Sequence, residues 1–231
     1  MGWNGKKKAL TFSYDDGILF DRRLVELFNR YGMKCTFNLN SGIQTAANVF
    51  RKEGAAGEVA ISRMNMAELP ALYAGHEVAV HSLTHPHLEA LDEATVENEL
   101  LQDKKNLEAL FGTEVKGMAY PYGTYTDTVI RVAERVGLRY ARTVAATHRF
   151  DVPAPGTLMT LPATCHHNDA QLTELGRAFL ESDPAEPQLF YVWGHSYEFA
   201  LNDNWAVIED FCRMMAGRDD IFYGTNAEVL L

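Results

Sequence analysis

Lys8-Ala9-Leu10-Thr11-Phe12-Ser13-Tyr14 reads as a short buried strand, and Asp15-Asp16-Gly17 ends it with two carboxylates and a turn. The same arrangement recurs along the chain. His76 to Val80 is an apolar strand that runs straight into His81-Ser82-Leu83-Thr84-His85-Pro86-His87. Val115 to Tyr120 leads into Tyr122, and Leu189 to Trp193 leads into His195. Polar groups therefore fall just past the C-terminal ends of the first, third, fourth and penultimate strands. Strands and helices alternate about seven times, which implies a parallel sheet with crossover helices. An open doubly wound sheet and a closed barrel both fit that alternation. Only a barrel brings strand ends from the whole chain around one mouth, where barrel active sites lie. The expected fold is a single α/β barrel domain over residues 1–231.

The intervening segments fill in the pattern. Asp21 to Tyr31 is a helix with Leu24, Leu27, Phe28 and Tyr31 on one face and Gly32 closing it. A second strand covers Cys35 to Leu39. Residues 41–63 hold little periodicity and read as a long connection. Asn65 can cap a helix that stops at Gly75, bent or shortened by Pro70. Asp92 to Phe111 is the longest helix, and Asp127 to Val136 is the next. Tyr140 to Val144 is a fifth strand, followed by a weak strand near Leu158 to Leu161. Asp169 to Glu181 and Trp205 to Met215 read as helices, and Ile221 to Tyr223 as a last strand.

The chain has 231 residues, with 21 Lys+Arg against 31 Asp+Glu and a net charge of −10. That balance argues against a protein that tracks nucleic-acid phosphates. The one basic run, Lys6-Lys7-Lys8, is short and terminal. No window approaches the apolar length of a membrane span. The cysteines, Cys35, Cys165 and Cys212, are odd in number and far apart, so they read as core thiols. Met1 to Lys8 lacks the apolar stretch of a secretory signal, so the chain as written is expected in the cytoplasm.

Two adjacent carboxylates at a strand end are a favoured turn, but they also diverge, so one can bind a metal while the other acts as base. His81 and His85 within reach of them complete the N,N,O ligand set of a metal site with open positions. His87 extends the run, with a solvent-facing imidazole as its simpler reading. Tyr120-Pro121-Tyr122-Gly123 is either a turn with aromatic packing or a rigid turn that aims a backbone N–H at a developing oxyanion. His195 leaves an apolar strand into a loop and is suited to general-acid work.

These residues resemble the polysaccharide deacetylases, the fourth carbohydrate esterase family, whose members share a chitooligosaccharide-deacetylase homology domain. Ser13-Tyr14-Asp15-Asp16-Gly17 is similar to the family's first motif and His81-Ser82-Leu83-Thr84-His85 to its second. The resemblance implies a distorted (β/α)7 barrel with Asp15 as catalytic base and Asp16, His81 and His85 as metal ligands. It also implies Tyr122 at the oxyanion position and His195 as the acid. Trp193, two before His195, matches the apolar residue that lines the family's acetyl pocket.

Two motifs depart from the pattern. Ala119 stands where the family's third motif has an arginine that braces the base. Arg142, at the end of the next strand, is the replacement suggested by position, with a surface arginine as the alternative. The usual Asp-Trp fourth motif is absent. Cys165-His166-His167-Asn168-Asp169 lies in its region, and His166 is a candidate for the mouth. Glu198 either orients His195 or is solvated.

The resemblance implies a hydrolase that removes acetyl groups from acetylated carbohydrate with one divalent ion. Zinc suits the ligand set, with cobalt, nickel or iron as alternatives. Two further readings stand beside it: an amide hydrolase of the same superfamily acting on a small non-carbohydrate amide, and a barrel that binds carbohydrate without catalysis.

Overall fold

The computed structural model describes residues 2–231. In chain order the elements are β1 (Lys8–Asp15), α1 (Asp21–Tyr31), β2 (Cys35–Leu39), β3 (Val49–Gly54), β4 (Gly57–Ser62), α2 (Leu69–Leu72), β5 (Glu77–Val80), α3 (Glu93–Phe111), β6 (Gly117–Ala119) and α4 (Asp127–Arg135). They continue with β7 (Tyr140–Ala146), β8 (Leu161–Ala163), β9 (Cys165–His166), α5 (Leu172–Glu181), β10 (Gln188–Gly194), α6 (Tyr197–Leu201), α7 (Trp205–Met215), β11 (Ile221–Tyr223) and α8 (Asn226–Leu230).

β1 is buried along its whole length because both of its faces are covered. Leu10, Phe12 and Tyr14 point into the main core, against α1 residues such as Leu24 and Phe28. Ala9 belongs to a second apolar cluster, with Leu189, Tyr191 and Trp193 of β10. By strand alternation Thr11, Ser13 and Asp15 share the side of Ala9. That inner side is largely polar: Thr11 Oγ1 donates to Asn226 Oδ1 at 3.0 Å, and Asn38 Nδ2 to Ser13 Oγ at 2.8 Å.

The principal sheet is parallel, in the order β8-β7-β6-β5-β2-β1-β10-β9. Its two outer strands, β8 and β9, are neighbours in the chain, and this closes the ring. The Thr147 N–H donates to Ala163 O at 3.0 Å on the β7 side, and the Thr164 N–H to Tyr191 O at 2.8 Å on the β10 side. One irregular segment thus bridges both edges. β1 is also shared: residues 8–10 pair with β11 and residues 12–15 with β2, which splays the barrel at that wall. The architecture is a distorted β/α barrel.

Asp92 caps α3 by accepting from the Thr95 N–H, and Gly112 ends it in the left-handed region. The structure corrects the reading of residues 41–63. They carry an antiparallel hairpin, β3–β4, whose Ala55-Ala56 loop is flanked by the Gly54–Gly57 pair. The hairpin packs on α6 through Ile61, Phe50 and Tyr197. Two further segments differ. After Asn65 the chain forms a 3-10 turn and then only the four residues of α2, with Pro70 in its first turn. Residues 155–160 are a 3-10 turn, and the strand begins at Leu161.

Candidate active site

Asp15 ends β1 with its carboxylate buried among three polar neighbours. Asn38 Nδ2 donates to Oδ1 at 2.7 Å, Arg142 Nη2 binds Oδ2, and His195 Nε2 stands 3.8 Å from Oδ2. Burial alone would raise this carboxyl, but the Arg142 guanidinium and the nearby imidazoles hold it below its usual range. Arg142 is 1% exposed and lies over the Trp193 ring at 4.5 Å, so it backs the cavity without lining it.

Asp16 follows in a left-handed backbone (φ 83°). Gly17 continues the turn, where a Cβ would meet Gln44 Nε2 at 2.6 Å. Arg63 Nη2 reaches Asp16 Oδ1 at 3.1 Å. Burial opposes ionisation of Asp16, and His195, Arg63, His81 and His85 outweigh it and bring its pKa to about 2. His85 Nε2 lies 3.9 Å from Asp16 Oδ1. One ligand atom from each of Asp16, His81 and His85 falls within 4.8 Å of the others.

Tautomers favour that cluster as a cation site. His81 Nδ1 lies 2.8 Å from the Ala119 carbonyl, so Nδ1 carries the proton and Nε2 keeps its lone pair. Burial pushes the His81 pKa down to about 4 and lowers that of His85, so both are neutral near pH 7. The loop that carries them hangs on α3. Asp103 accepts from the Ser41 N–H at 2.7 Å and the His81 N–H at 3.1 Å, and Glu99 accepts from the Thr84 N–H and hydroxyl, both at 2.8 Å.

Tyr122 has φ 59° inside a 3-10 turn, so its backbone is held in a conformation that few non-glycine residues adopt. Asp16, Ser82, His85 and Tyr122 account for four of the seven positive-φ non-glycine residues described. Each costs on the order of 1–3 kcal/mol, and such strain gathers where side chains must be aimed. The Tyr122 ring stacks on His87 at 3.8 Å, and His87 Nδ1 lies 2.9 Å from Glu89, so His87 stands apart from the ligand cluster.

Asp15, Asp16, His81, His85, Tyr122, Trp193 and His195 all line one cavity of about 380 Å³, together with Phe50 and Lys52 of the hairpin. His166, expected as a candidate for this mouth, does not line it. Its Nε2 contacts Glu198 at 2.9 Å and its ring meets Trp193 edge-on at 4.6 Å. Sequence reasoning misses Arg63, Glu99, Asp103 and the hairpin wall. For Glu99 and Asp103 a signal exists: two acids four apart on the face of α3 that also carries Val96, Leu100 and Leu107.

Residues 3–141 match the sequence profile of the polysaccharide deacetylase family. The chain belongs to that family. Among curated proteins it is 35% identical over 65 residues to the chitooligosaccharide deacetylase of Sinorhizobium fredii, covering 28% of this chain and 30% of that protein. It is 28% identical over 98 residues to an uncharacterised protein of Bacillus subtilis, covering 42% of this chain and 31% of that protein. The matches thus span about a third of each relative's length. Among solved structures, the family 4 carbohydrate esterase of Streptomyces lividans superposes with a TM-score of 0.57 at 19% identity, over 95% of this chain and 93% of that one. A family pseudoenzyme from Bacillus anthracis superposes with 0.56 at 18% identity, over 97% and 66%. At such identities the likeness shows the fold, and this member of the family shares its distorted barrel with both.

Proposed function

We propose that this protein is a metal-dependent hydrolase that removes the acetyl group from an N-acetylated carbohydrate. The reading rests on the Asp16, His81 and His85 cluster sharing one cavity with a second buried carboxylate, Asp15, and an imidazole just past the end of β10, His195.

Asp16, His81 and His85 would hold the ion, with two neutral nitrogens and one carboxylate oxygen facing each other. Such a set with open positions suits zinc, and cobalt, nickel or iron would also fit it. When bound, a divalent ion supplies Lewis-acid polarisation of the acetyl carbonyl and lowers the pKa of a water towards neutrality.

Asp15 takes the proton of the attacking water, since Arg142 and Asn38 keep its carboxylate ionised and fixed. As the water oxygen bonds to the carbonyl carbon, the Tyr122 N–H donates to the oxyanion. His195 then protonates the nitrogen as the carbon–nitrogen bond breaks, so acetate and a neutral amine leave. An amide anion is too poor a leaving group to depart without that proton.

The test is acetate release from a panel of N-acetylated sugars, O-acetylated sugars and small non-carbohydrate amides, using protein reconstituted with each metal. Release from the sugars alone supports the proposal. Release only from non-carbohydrate amides transfers the chemistry to a different substrate class, and no release from any of them overturns the enzymatic reading.

A further inference from the structure

Behind His195 lies a half-buried cluster that the reaction above does not use. Glu198, one turn further along, points its carboxylate at three imidazoles. Oε2 is 2.9 Å from His166 Nε2 and 3.0 Å from His167 Nε2, and Oε1 is 3.4 Å from His195 Nδ1. His167 is fully buried, and its place exists only because residue 194 is glycine: a Cβ there would fall 2.0 Å from His167 Nδ1.

Two imidazoles and a carboxylate could be a second cation site, and the hydrogen bonds decide against it. His166 Nδ1 accepts from the Asn168 N–H at 3.1 Å. A neutral imidazole that accepts at Nδ1 carries its proton on Nε2, the atom facing Glu198, which leaves no lone pair there for a metal. His167 is arranged alike. Its Nδ1 lies 3.0 Å from the hydroxyl of Tyr14, a buried phenol that keeps its proton and can donate it. His167 Nε2–H then faces the carboxylate. Both N–H nitrogens lie within 3.0 Å of Oε2, and Oε1 is the oxygen on the His195 side. Nδ1 of His195 is buried and has no aligned hydrogen-bond partner among the described residues, and Oε1, 3.4 Å away, is the carboxylate oxygen beside it.

We infer that Glu198, held by His166 and His167, is the positioning residue that keeps the Nδ1 proton on His195 and turns His195 Nε2 towards the cavity. The inference rests on the proposed function only in taking His195 as the leaving-group acid. The carboxylate comes from α6, three residues after the histidine it serves.

Two measurements test it. In histidine-labelled protein, with and without zinc, 15N NMR reads the tautomer of each ring. Neutral His195 is expected to carry its proton on Nδ1, and His166 and His167 theirs on Nε2. A wild-type His195 with its proton on Nε2 overturns the inference without any variant. In Glu198→Gln the amide oxygen still accepts from His166 and His167, but an NH2 now faces His195. The His195 tautomer should reverse, and kcat on an N-acetyl substrate should fall at least about tenfold, but by less than the full contribution of the general acid, about 10²–10⁴-fold. An aryl acetate, which needs little protonation on leaving, should lose much less. An unchanged His195 tautomer in Glu198→Gln, or equal losses on both substrates, removes the positioning role. If the wild type releases no acetate at all, the proposed function fails while the NMR still decides this point.

Discussion

Arg142 and Asp15 form a buried ion pair across the barrel, with side chains 1% and 4% exposed. The pair joins the end of β1 to β7, and Asn38 holds the other carboxylate oxygen at 2.7 Å. Trp193 covers the guanidinium face, so the arginine is fixed on two sides. This arrangement stands where Ala119 offers no side chain able to brace the base.

Replacing Arg142 by methionine keeps the stacked volume and removes the charge. Because the guanidinium favours the ionised carboxyl, the Asp15 pKa should rise. The acidic limb of the pH–rate profile should therefore move to higher pH. Breaking such a pair also leaves an unpaired buried charge, a loss of about 3–5 kcal/mol in stability. A variant with an unchanged profile and unchanged denaturation midpoint would detach Arg142 from Asp15.

His85 and His87 lie two residues apart and point to different partners. His85→Ala should lower the bound divalent metal per chain, measured by elemental analysis after dialysis, while circular dichroism stays native. His87→Ala should leave metal content unchanged, since that ring stacks on Tyr122 and pairs with Glu89. Loss of metal in both variants would redraw the ligand set.

How much of this is legible in the sequence depends on which physical signal each part leaves. The barrel is legible because β1, β5, β6 and β10 are largely apolar runs, each with a polar group at or just past its end. Arg142 is reachable because it ends the strand after Ala119. The β3–β4 hairpin leaves no such trace. Val49, Arg51, Lys52 and Glu53 are exposed, so β3 shows no alternation, and only the Gly54–Gly57 spacing marks the turn. Arg63 is missed for the same reason: it follows a segment without periodicity, and its contact with Asp16 spans 47 residues. Asp103 and Glu99 stand on the apolar face of α3, and what they bind shows only once the His81 loop is laid over them. The strand closing the barrel is irregular because one segment serves both edges.

Asp21 gives a stability prediction with a definite sign. Its carboxylate is buried at the start of α1 and accepts from the Tyr73 hydroxyl at 2.6 Å and from the Ser196 hydroxyl beside His195. Burial pushes its pKa up to about 7, against those hydrogen bonds. The unfolded chain ionises near the ordinary value of about 4. Between those values the native state holds a proton that the unfolded state has released, so this group's contribution to stability falls as pH rises from about 4 to about 7. Asp21→Asn cannot ionise and should lack that slope. In urea denaturation its stability relative to wild type should be greater at pH 8 than at pH 5. A constant difference across that range would mean that Asp21 is not protonated in the native protein.

Asp15 and His195 stand 3.8 Å apart, yet they are asked to do opposite things. Asp15 adjoins Asp16 and removes a proton from water, which every substrate requires. His195 delivers a proton to the leaving atom, which only poor leaving groups require. Losing either should cost about 10²–10⁴ in rate on an N-acetyl substrate. An aryl acetate expels a phenoxide that is stable without that proton. On the ester, His195→Ala should therefore keep far more of its wild-type kcat than on the amide, whereas Asp15→Asn should lose comparable factors on both. The cavity wall around His195 also includes Tyr197, whose ring lies 5.2 Å from it, so Tyr197→Phe serves as a control for packing. That control should leave the ester-to-amide ratio near wild type. If His195→Ala loses ester and amide activity in equal proportion, the proton reaches the leaving nitrogen from another group and the roles assigned to these two residues fail.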